Sequence, residues 1–169
     1  MPRSLKDFPG NVAIFIDANI FLYHAFGNND DSLQFLKRVE NENIRAYTSA
    51  LVLEEVAFKL LMQSTSNFVE KINFDKLKRF LAAAENRAKA LDPVNKYMGY
   101  IHTLRDMGLK IIDLTGGDIS VAIVKAATNG LITADGAHLS VMERKGIKHI
   151  ASSDQDFGTL DDITLWSPV

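Results

Sequence analysis

The chain contains no cysteine among its 169 residues, which excludes disulfide bonds, thiolate catalysis and cysteine-bound zinc. No apolar run approaches the roughly 18 residues that a membrane span requires. The first residues, which include Pro2, Arg3 and Asp7, lack the apolar stretch of a secretory signal. We therefore expect a cytoplasmic protein that does not contact a membrane.

Common catalytic motifs are missing as well. The sequence has no G-x-x-x-x-G-K-[S/T] or G-x-G-x-x-G phosphate-binding loop, no H-E-x-x-H zinc motif and no G-x-S-x-G nucleophile motif. Its histidines show no metal-ligand spacing, so we expect them to be structural or surface residues. They are His24, His102, His138 and His149.

The composition is that of an ordinary globular protein, with 47% hydrophobic and 24% charged residues. The length suits one hydrophobic core, so we expect a single domain over residues 1–169. Charge is uneven along the chain: residues 60–110 carry nine Lys/Arg and five Asp/Glu, whereas residues 111–169 carry four and eight. An acidic site beside a basic flank suits a metal enzyme that acts on a polyanion, although charge-biased solvated helices give the same pattern more often.

Short apolar runs alternate with helical patterns, which predicts an α/β fold: a mainly parallel central sheet between two layers of helices. The predicted strands are 12–16, 44–48, 110–114, 147–151 and an edge strand at 163–165. The predicted helices are 19–26, 33–42, 50–63, two basic helices within 70–107 that Asp92-Pro93 separates, 119–128, and one in 131–145 that begins near Asp135.

The first strand ends abruptly in a carboxylate, Asp17. In parallel α/β sheets the ligand crevice lies beyond the carboxyl ends of the strands, so this position suits a metal or substrate ligand. Asp is also a good N-cap, and Asp17 precedes a predicted helix. By itself the position leaves both interpretations open.

Acids at three further positions favour the interpretation of Asp17 as a ligand. Asp154 follows another strand, Asp135 opens a helix, and Glu54-Glu55 lies in the helix after the second strand, where helical geometry alone cannot choose between the two glutamates. In a parallel sheet these positions converge at one end. Clustered carboxylates repel one another unless a cation neutralises them, and their oxygens suit Mg²⁺ or Mn²⁺.

Four segments, in this order, resemble the PIN domain family and within it the VapC-like toxin ribonucleases. They are Ile16-Asp17-Ala18-Asn19, residues 48–56 around Glu54-Glu55, Ala134-Asp135-Gly136-Ala137-His138-Leu139, and residues 150–157 around Asp154. The resemblance covers essentially the whole chain. One departure is Gly136, which lies in a predicted first helical turn where glycine weakens a helix.

The resemblance implies a role for each matching residue. Asp17 and Asp135 would be the principal metal ligands, Asp154 would complete the site, and Glu55, chosen by its spacing from Ser49, would bind a second ion or position the attacking water. Asp156 is a possible further acid. Asn19, Ser49 and Ser152 would hydrogen-bond and orient the carboxylates.

The resemblance also implies an activity: an endoribonuclease that uses one or two Mg²⁺ or Mn²⁺ ions and leaves 5′-phosphate and 3′-hydroxyl ends. It implies a homodimer, the toxin of a toxin–antitoxin pair, whose antitoxin occludes the acidic cleft. Basic residues of the middle third would hold RNA phosphates: Lys76, Lys78, Arg79 and Arg87. The alternatives are a PIN nuclease of RNA processing or decay without an antitoxin, and a non-catalytic module that binds RNA or protein.

Overall fold

The structure is a computed structural model that describes residues 2–169. Its centre is a six-stranded sheet in the order β1-β6-β5-β2-β3-β4, and every pairing is parallel. The strands are β1 (Arg3–Ser4), β2 (Ile14–Ile16), β3 (Ala46–Ser49), β4 (Lys110–Ile112), β5 (His149–Ala151) and β6 (Thr164–Ser167). With helices on both faces, this is the predicted three-layer α/β/α fold.

Within residues 2–169, seven α-helices connect the strands, and two short 3₁₀ helices lie at Leu5–Asp7 and Gln155–Thr159. The α-helices are α1 (Ala18–Phe26), α2 (Asp30–Asn41), α3 (Ala50–Ser66), α4 (Phe74–Leu81), α5 (Ala84–Asp106), α6 (Gly116–Asn129) and α7 (Thr133–Arg144). Helices α1, α2, α3 and α5 pack in one group, and α6 packs closely against α7. No helix formed by residues 2–169 is long and apolar enough to cross a membrane.

The central strands are short and fully buried. β2 lies between β3 and β5, so Phe15 pairs with Tyr47 on one side and Ile150 on the other. Ile14, Phe15 and Ile16 are all buried, as a strand covered by helices on both faces requires. The chain runs from β2 outward through β3 and β4, then returns to β5 on the opposite side of β2. This reversal creates a crevice at the carboxyl ends of β2 and β5.

The predicted break at Asp92-Pro93 is wrong, because α5 runs through Pro93 without interruption. Proline has no N–H to donate to the carbonyl four residues earlier, which belongs to Lys89. That carbonyl instead accepts a long hydrogen bond from the Ser64 hydroxyl of α3, at 3.5 Å. The basic helices separate ten residues earlier, at Ala82 and Ala83.

The predicted edge strand at 163–165 is also placed wrongly. β6 covers Thr164–Ser167 and lies inside the sheet, because β1 pairs with it on its outer side. β1 has only two residues, which is too short to leave a hydrophobic pattern in the sequence.

Gly136 lies in the first turn of α7, where the sequence suggested a weakness. A Cβ atom at this position would overlap the backbone carbonyl of Ala122 in α6. Ala122 and Ala126 of α6 are buried, as are Gly136, Ala137 and Ser140 of α7. Small residues on both helices therefore allow a close approach, and it is this contact that requires glycine.

Candidate metal centre

The predicted acids lie around the crevice at the carboxyl end of the sheet. Asp17 follows β2, and Asp154 lies three residues beyond the end of β5. Asp135 is in the first turn of α7, and Glu55 is in the second turn of α3, which begins directly after β3. Since β5, β2 and β3 are adjacent parallel strands, their connections bring these residues to one place.

Asp17 is a helix cap, which is one of the two roles that the sequence left open. It is the N-cap of α1, where its Oδ1 accepts a hydrogen bond from the backbone N–H of Ala18 at 2.7 Å. Its Oδ2 accepts from the Asn19 amide and from the Ser152 hydroxyl, both at 2.6 Å. The carboxylate is 7% exposed. Three neutral donors thus fix its orientation without cancelling its charge.

The segment after β5 is held to the same network. Asn19 donates to the Ser152 hydroxyl at 3.0 Å and accepts from the Ser153 N–H at 3.0 Å. The Ser152 oxygen also accepts from the N–H of Asp154 at 3.0 Å. Asp154 in turn accepts from the N–H of Asp156 at 2.9 Å. Asn19 and Ser152 therefore both hydrogen-bond the Asp17 carboxylate, and Ser152 also holds the backbone at Asp154.

Asp135 shows how closely the acids converge. Burial raises its pKa to about 6, and the negative charges of four neighbouring carboxylates contribute to the rise: Asp154, Asp17, Glu55 and Asp156. Burial also raises the pKa of Asp17. Among residues 2–169, no Lys or Arg side chain forms a salt bridge with Asp17, Asp135 or Asp154.

The structure separates the two glutamates of α3. Glu54 is exposed, whereas Glu55 is partly buried at the edge of the crevice. Glu55 forms an ion pair with Lys59, one turn along the helix, at 2.6 Å. Lys59 is itself 51% exposed, so water can replace it as a partner of the carboxylate.

Ser49 differs from its predicted role. Its hydroxyl accepts a hydrogen bond from the Val52 N–H at 3.3 Å and caps α3. No hydrogen bond joins Ser49 to a carboxylate within the described part of the chain. The residue starts the helix that carries Glu55, because a serine at an N-cap satisfies a free backbone donor.

His138 is one of the histidines expected to be structural or surface residues, and its ring lies in the crevice. The side chain is 2% exposed, and its Nε2 lies 3.8 Å from Oδ1 of Asp17. Burial lowers the pKa of the imidazole. The sequence did contain a signal, because Asp135 and His138 are three residues apart and therefore share one face of α7.

The other histidines have structural or surface positions. His24 stacks on Tyr100 and contacts the Tyr97 hydroxyl at 3.1 Å. His149 accepts a hydrogen bond from the indole of Trp166 at 3.2 Å, and His102 is exposed.

The predicted RNA-binding residues lie on α4 and at the start of α5, and they are not equivalent. Lys76 donates to the backbone carbonyls of Glu70 and Lys71, and Arg87 donates to those of Leu81 and Ala82. These two cations hold the turns before and after α4. Lys78 lies over the ring of Phe74, at 4.5 Å from its centroid, and Arg79 is exposed.

The residues of the crevice fit a divalent cation. Asp17, Glu55 and His138 each offer a ligand atom, and these atoms lie within 4.8 Å of one another. Carboxylate oxygens are the ligands that Mg²⁺ and Mn²⁺ prefer, and imidazole suits transition metals. The mutual repulsion that raises the pKa of Asp135 is the condition that a cation would relieve.

Comparison with known proteins agrees with this architecture. Residues 14–163 match the family model of the PIN domain. No curated protein matches the chain by sequence.

Similar solved structures include VapBC2 from Rickettsia felis bound to a promoter DNA fragment. It has a TM-score of 0.58 and 13% identity, over 94% of this chain and 100% of that one. A toxin–antitoxin complex from Klebsiella pneumoniae has a TM-score of 0.57 and 14% identity, over 90% of this chain and 95% of the other. VapC20 of Mycobacterium tuberculosis, a toxin that cleaves the sarcin–ricin loop, has a TM-score of 0.52 and 14% identity. The match covers 86% of this chain and 93% of that one. At these identities the likeness concerns the fold.

Proposed function

The chain belongs to the PIN domain family, and on that premise we propose that residues 1–169 form a single-domain, metal-dependent endoribonuclease that hydrolyses RNA phosphodiesters. The observation that carries this proposal is the convergence of acids around Asp17 with no Lys or Arg paired to Asp17, Asp135 or Asp154 in the described residues. A protein that used these carboxylates only for stability would pair them with cations of its own.

Each acid has a separate role in the proposal. Asp17 and Asp135 hold the cation, Asp154 completes the site, and Glu55 binds a second ion or positions the attacking water, with Asp156 as a further acid. A bound Mg²⁺ or Mn²⁺, as one ion or two, supplies a Lewis acid for the phosphodiester and makes water a stronger nucleophile at neutral pH.

The surrounding residues keep this site in shape. Asn19 and Ser152 hold one oxygen of Asp17 by two hydrogen bonds of 2.6 Å, so the carboxylate does not rotate. The Ser152 hydroxyl also fixes the backbone at Asp154. This shared hydroxyl couples the positions of two carboxylates from different strands, which is the function of residues that support metal ligands.

The test is cleavage of a mixed RNA pool by the purified chain in Mg²⁺, in Mn²⁺ and in EDTA, beside the variants Asp17→Asn and Asp135→Asn. We expect cleavage that requires metal and decreases at least about 100-fold in both variants, because a ligand should matter at least as much as the residues that support it. The products should carry 5′-phosphate and 3′-hydroxyl ends.

Asp118→Asn is the matched control, since it also neutralises a buried aspartate at the start of a helix. Asp118 contacts Arg144 at the end of α7, whereas Asp135 lies at the start of α7. Equal cleavage by all proteins, with or without EDTA, would overturn the proposal and identify a contaminant. Metal binding without cleavage of any RNA would favour a binding module.

We further propose that the protein is the toxin of a toxin–antitoxin pair and forms a homodimer. Support comes from the fold, since the similar structures include a toxin–antitoxin complex from Klebsiella pneumoniae and VapBC2 from Rickettsia felis. Induced expression should arrest bacterial growth for the wild type and not for Asp17→Asn. Arrest by both proteins, or by neither, would favour RNA processing or decay.

Light scattering of the purified chain tests the dimer.

The RNA contact is proposed for the exposed face of α4. Lys78 and Arg79 do not donate to the backbone, whereas Lys76 and Arg87 do. The slope of log K for RNA binding against log salt concentration should therefore become shallower by about 1.4 in the double variant Lys78→Ala and Arg79→Ala. This corresponds to roughly 0.7 for each lost phosphate contact. An unchanged slope would reject this face, and Lys125→Ala, on α6, is the control.

A further inference from the structure

One polar group in the crevice has no partner. Both ring nitrogens of His138 lack a hydrogen bond within residues 2–169, although the side chain is 2% exposed. Its Nδ1 is fully buried, and its Nε2 lies 3.8 Å from Asp17, which is too long for a hydrogen bond. Buried polar atoms are almost always paired, so an unpaired buried imidazole needs an explanation.

The position of the ring suggests an explanation for the nitrogen that faces Asp17, which is Nε2. His138 follows Asp135 by one helical turn, and its imidazole packs against Phe15 of β2, with ring centroids 5.6 Å apart. This contact holds the ring between the sheet and α7, with Nε2 directed at the Asp17 carboxylate. The ligand atoms of Asp17, Glu55 and His138 lie within 4.8 Å of one another. Opposite ligands of one cation are about 4.3 Å apart and adjacent ligands about 3 Å apart, so these atoms would draw closer together around a bound ion.

The partner oxygens remain accessible to a cation. A carboxylate oxygen can accept more than one contact, and Oδ1 of Asp17 accepts only from the Ala18 N–H. Glu55 is paired through one oxygen with the exposed Lys59. Each of the three side chains therefore has an atom that can still bind a cation, and the three atoms lie close together.

We propose that His138 is a nitrogen ligand of the ion that Glu55 binds in this cleft, beside Asp17, and that it makes the site prefer Mn²⁺ over Mg²⁺. The proposal rests on the proposed function, because it concerns the cation of the same cleft. Mg²⁺ favours sites made only of oxygen, whereas imidazole suits first-row transition metals. A mixed set of ligands therefore changes which metal the nuclease uses.

The test is pulsed electron paramagnetic resonance of the full chain loaded with Mn²⁺ alone. We expect echo modulation from a directly bound ¹⁴N nucleus, and replacement of this signal by the ¹⁵N pattern when histidine is labelled with ¹⁵N in the ring. This measurement uses the wild-type protein and so does not depend on whether a variant folds. Bound Mn²⁺ without a histidine nitrogen signal would overturn the proposal.

His138→Gln then identifies which histidine is responsible. Glutamine has a similar volume and offers oxygen in place of the imidazole nitrogen, so Mn²⁺ should still bind while the nitrogen signal disappears. The ratio of Mn²⁺ to Mg²⁺ affinity, measured by calorimetry, should fall by about tenfold. The control is His102→Gln on the exposed face of α5, which should change neither quantity. A nitrogen signal that persists in His138→Gln would reject the assignment.

The outcomes also separate this inference from the proposed function. Metal-dependent RNA cleavage that is lost in Asp17→Asn, together with Mn²⁺ bound only by oxygen, would reject His138 as a ligand and leave the nuclease intact. Failure of both Mn²⁺ and Mg²⁺ to bind the wild type would overturn both proposals.

Discussion

Asp17 and Asp118 are alike in position and opposite in surroundings. Each lies at the start of a helix, Asp17 as the N-cap of α1 and Asp118 in the first turn of α6. Each is almost fully buried, with 7% and 3% exposure. The difference between them lies in the charge that surrounds each carboxylate.

Asp118 is neutralised within the protein. Its oxygens accept two hydrogen bonds of 2.9 Å from the Arg144 guanidinium, and others from the Thr115 hydroxyl at 2.7 Å and the Thr115 N–H at 2.8 Å. Arg144 and these hydrogen bonds hold the pKa of Asp118 well below its usual range. The pair joins the start of α6 to the end of α7.

Asp17 has donors but no cation of this kind. Its hydrogen bonds come from neutral groups of Ala18, Asn19 and Ser152. Its charged neighbours include other carboxylates. The pKa of its neighbour His138 is lowered by burial, which disfavours the charged form of the imidazole. A buried carboxylate with its own Arg is a structural element, whereas one oriented by neutral donors among other acids has the surroundings that we propose for a cation from solution.

The largest effect on folding is expected at Asp118. Asp118→Asn weakens the charge-assisted hydrogen bonds that this buried carboxylate accepts from Arg144 and Thr115, and should lower the free energy of unfolding by about 2–3 kcal/mol at pH 7. Asp17→Asn should leave the metal-free protein equally stable or more stable, because it removes a repelled charge. Urea unfolding in EDTA measures both. Similar losses in the two variants would remove the distinction between the two aspartates.

The contribution of Asp118 also has a defined pH dependence. Its folded pKa is lowered, so the stability that it contributes is present above its unfolded pKa of about 3.9 and is lost as the pH falls toward the folded value. The difference in the free energy of unfolding between wild type and Asp118→Asn, measured by urea unfolding, should therefore shrink below about pH 4.

The next effect is expected where α6 and α7 touch. Gly136→Ala would place a methyl group against the Ala122 carbonyl, and the helices would have to separate. We expect a loss of about 2 kcal/mol, the usual cost of overpacking a tight contact. Ala137→Gly, at the neighbouring buried position, introduces no overlap and is the comparison variant. An Ala at position 136 that is tolerated without loss would show that the close approach is not required.

A smaller effect is expected at Ser152, which orients Asp17 without carrying charge. Ser152→Ala removes one of the three donors to that carboxylate and should weaken Mn²⁺ binding by about tenfold, or about 1.4 kcal/mol. Calorimetry measures this change. Ser140→Ala, beside Asp118, should leave Mn²⁺ affinity unchanged. If both variants bind Mn²⁺ like the wild type, the neutral donors do not support a metal ligand.

The smallest effect is a pH dependence opposite to that of Asp118. Because the pKa of Asp135 is raised to about 6, its folded carboxyl keeps a proton that the unfolded chain has already lost. Stability from this group is thus present below about pH 4 and lost as the pH rises through about 6. In EDTA, Asp135→Asn should stabilise the protein by about 1 kcal/mol at pH 7.5, after allowance for solvent screening, and by nothing at pH 4. Destabilisation at both pH values would contradict this account.

Much of this arrangement follows from local sequence patterns. The buried run that ends at Asp17 predicts a strand with an acid at its tip, and alternation of strands with helices predicts a parallel sheet. Those two inferences bring Asp17 and Asp154 together, because parallel strands end at one edge. Charge repulsion among acids at that edge then predicts a cation site.

Other features depend on distant partners that no local pattern contains. Continuation of α5 through Pro93 requires a hydroxyl from Ser64 on another helix. β1 exists because it pairs with β6 at the other end of the chain. The position of His138 depends on which face of α7 meets the sheet, and the helical spacing from Asp135 indicates this only once Asp135 is known to face the crevice.

If the acids around Asp17 bind a cation from solution, as we propose, thermal unfolding of the protein should depend on Mn²⁺. At an Mn²⁺ concentration of 100 times Kd, binding should stabilise the wild type by about 2.7 kcal/mol, or roughly 5–10 °C in Tm. Asp118→Asn should start from a lower Tm and gain the same increment, whereas Asp17→Asn should gain almost none. An equal gain in Asp17→Asn, or no gain in the wild type, would contradict the account.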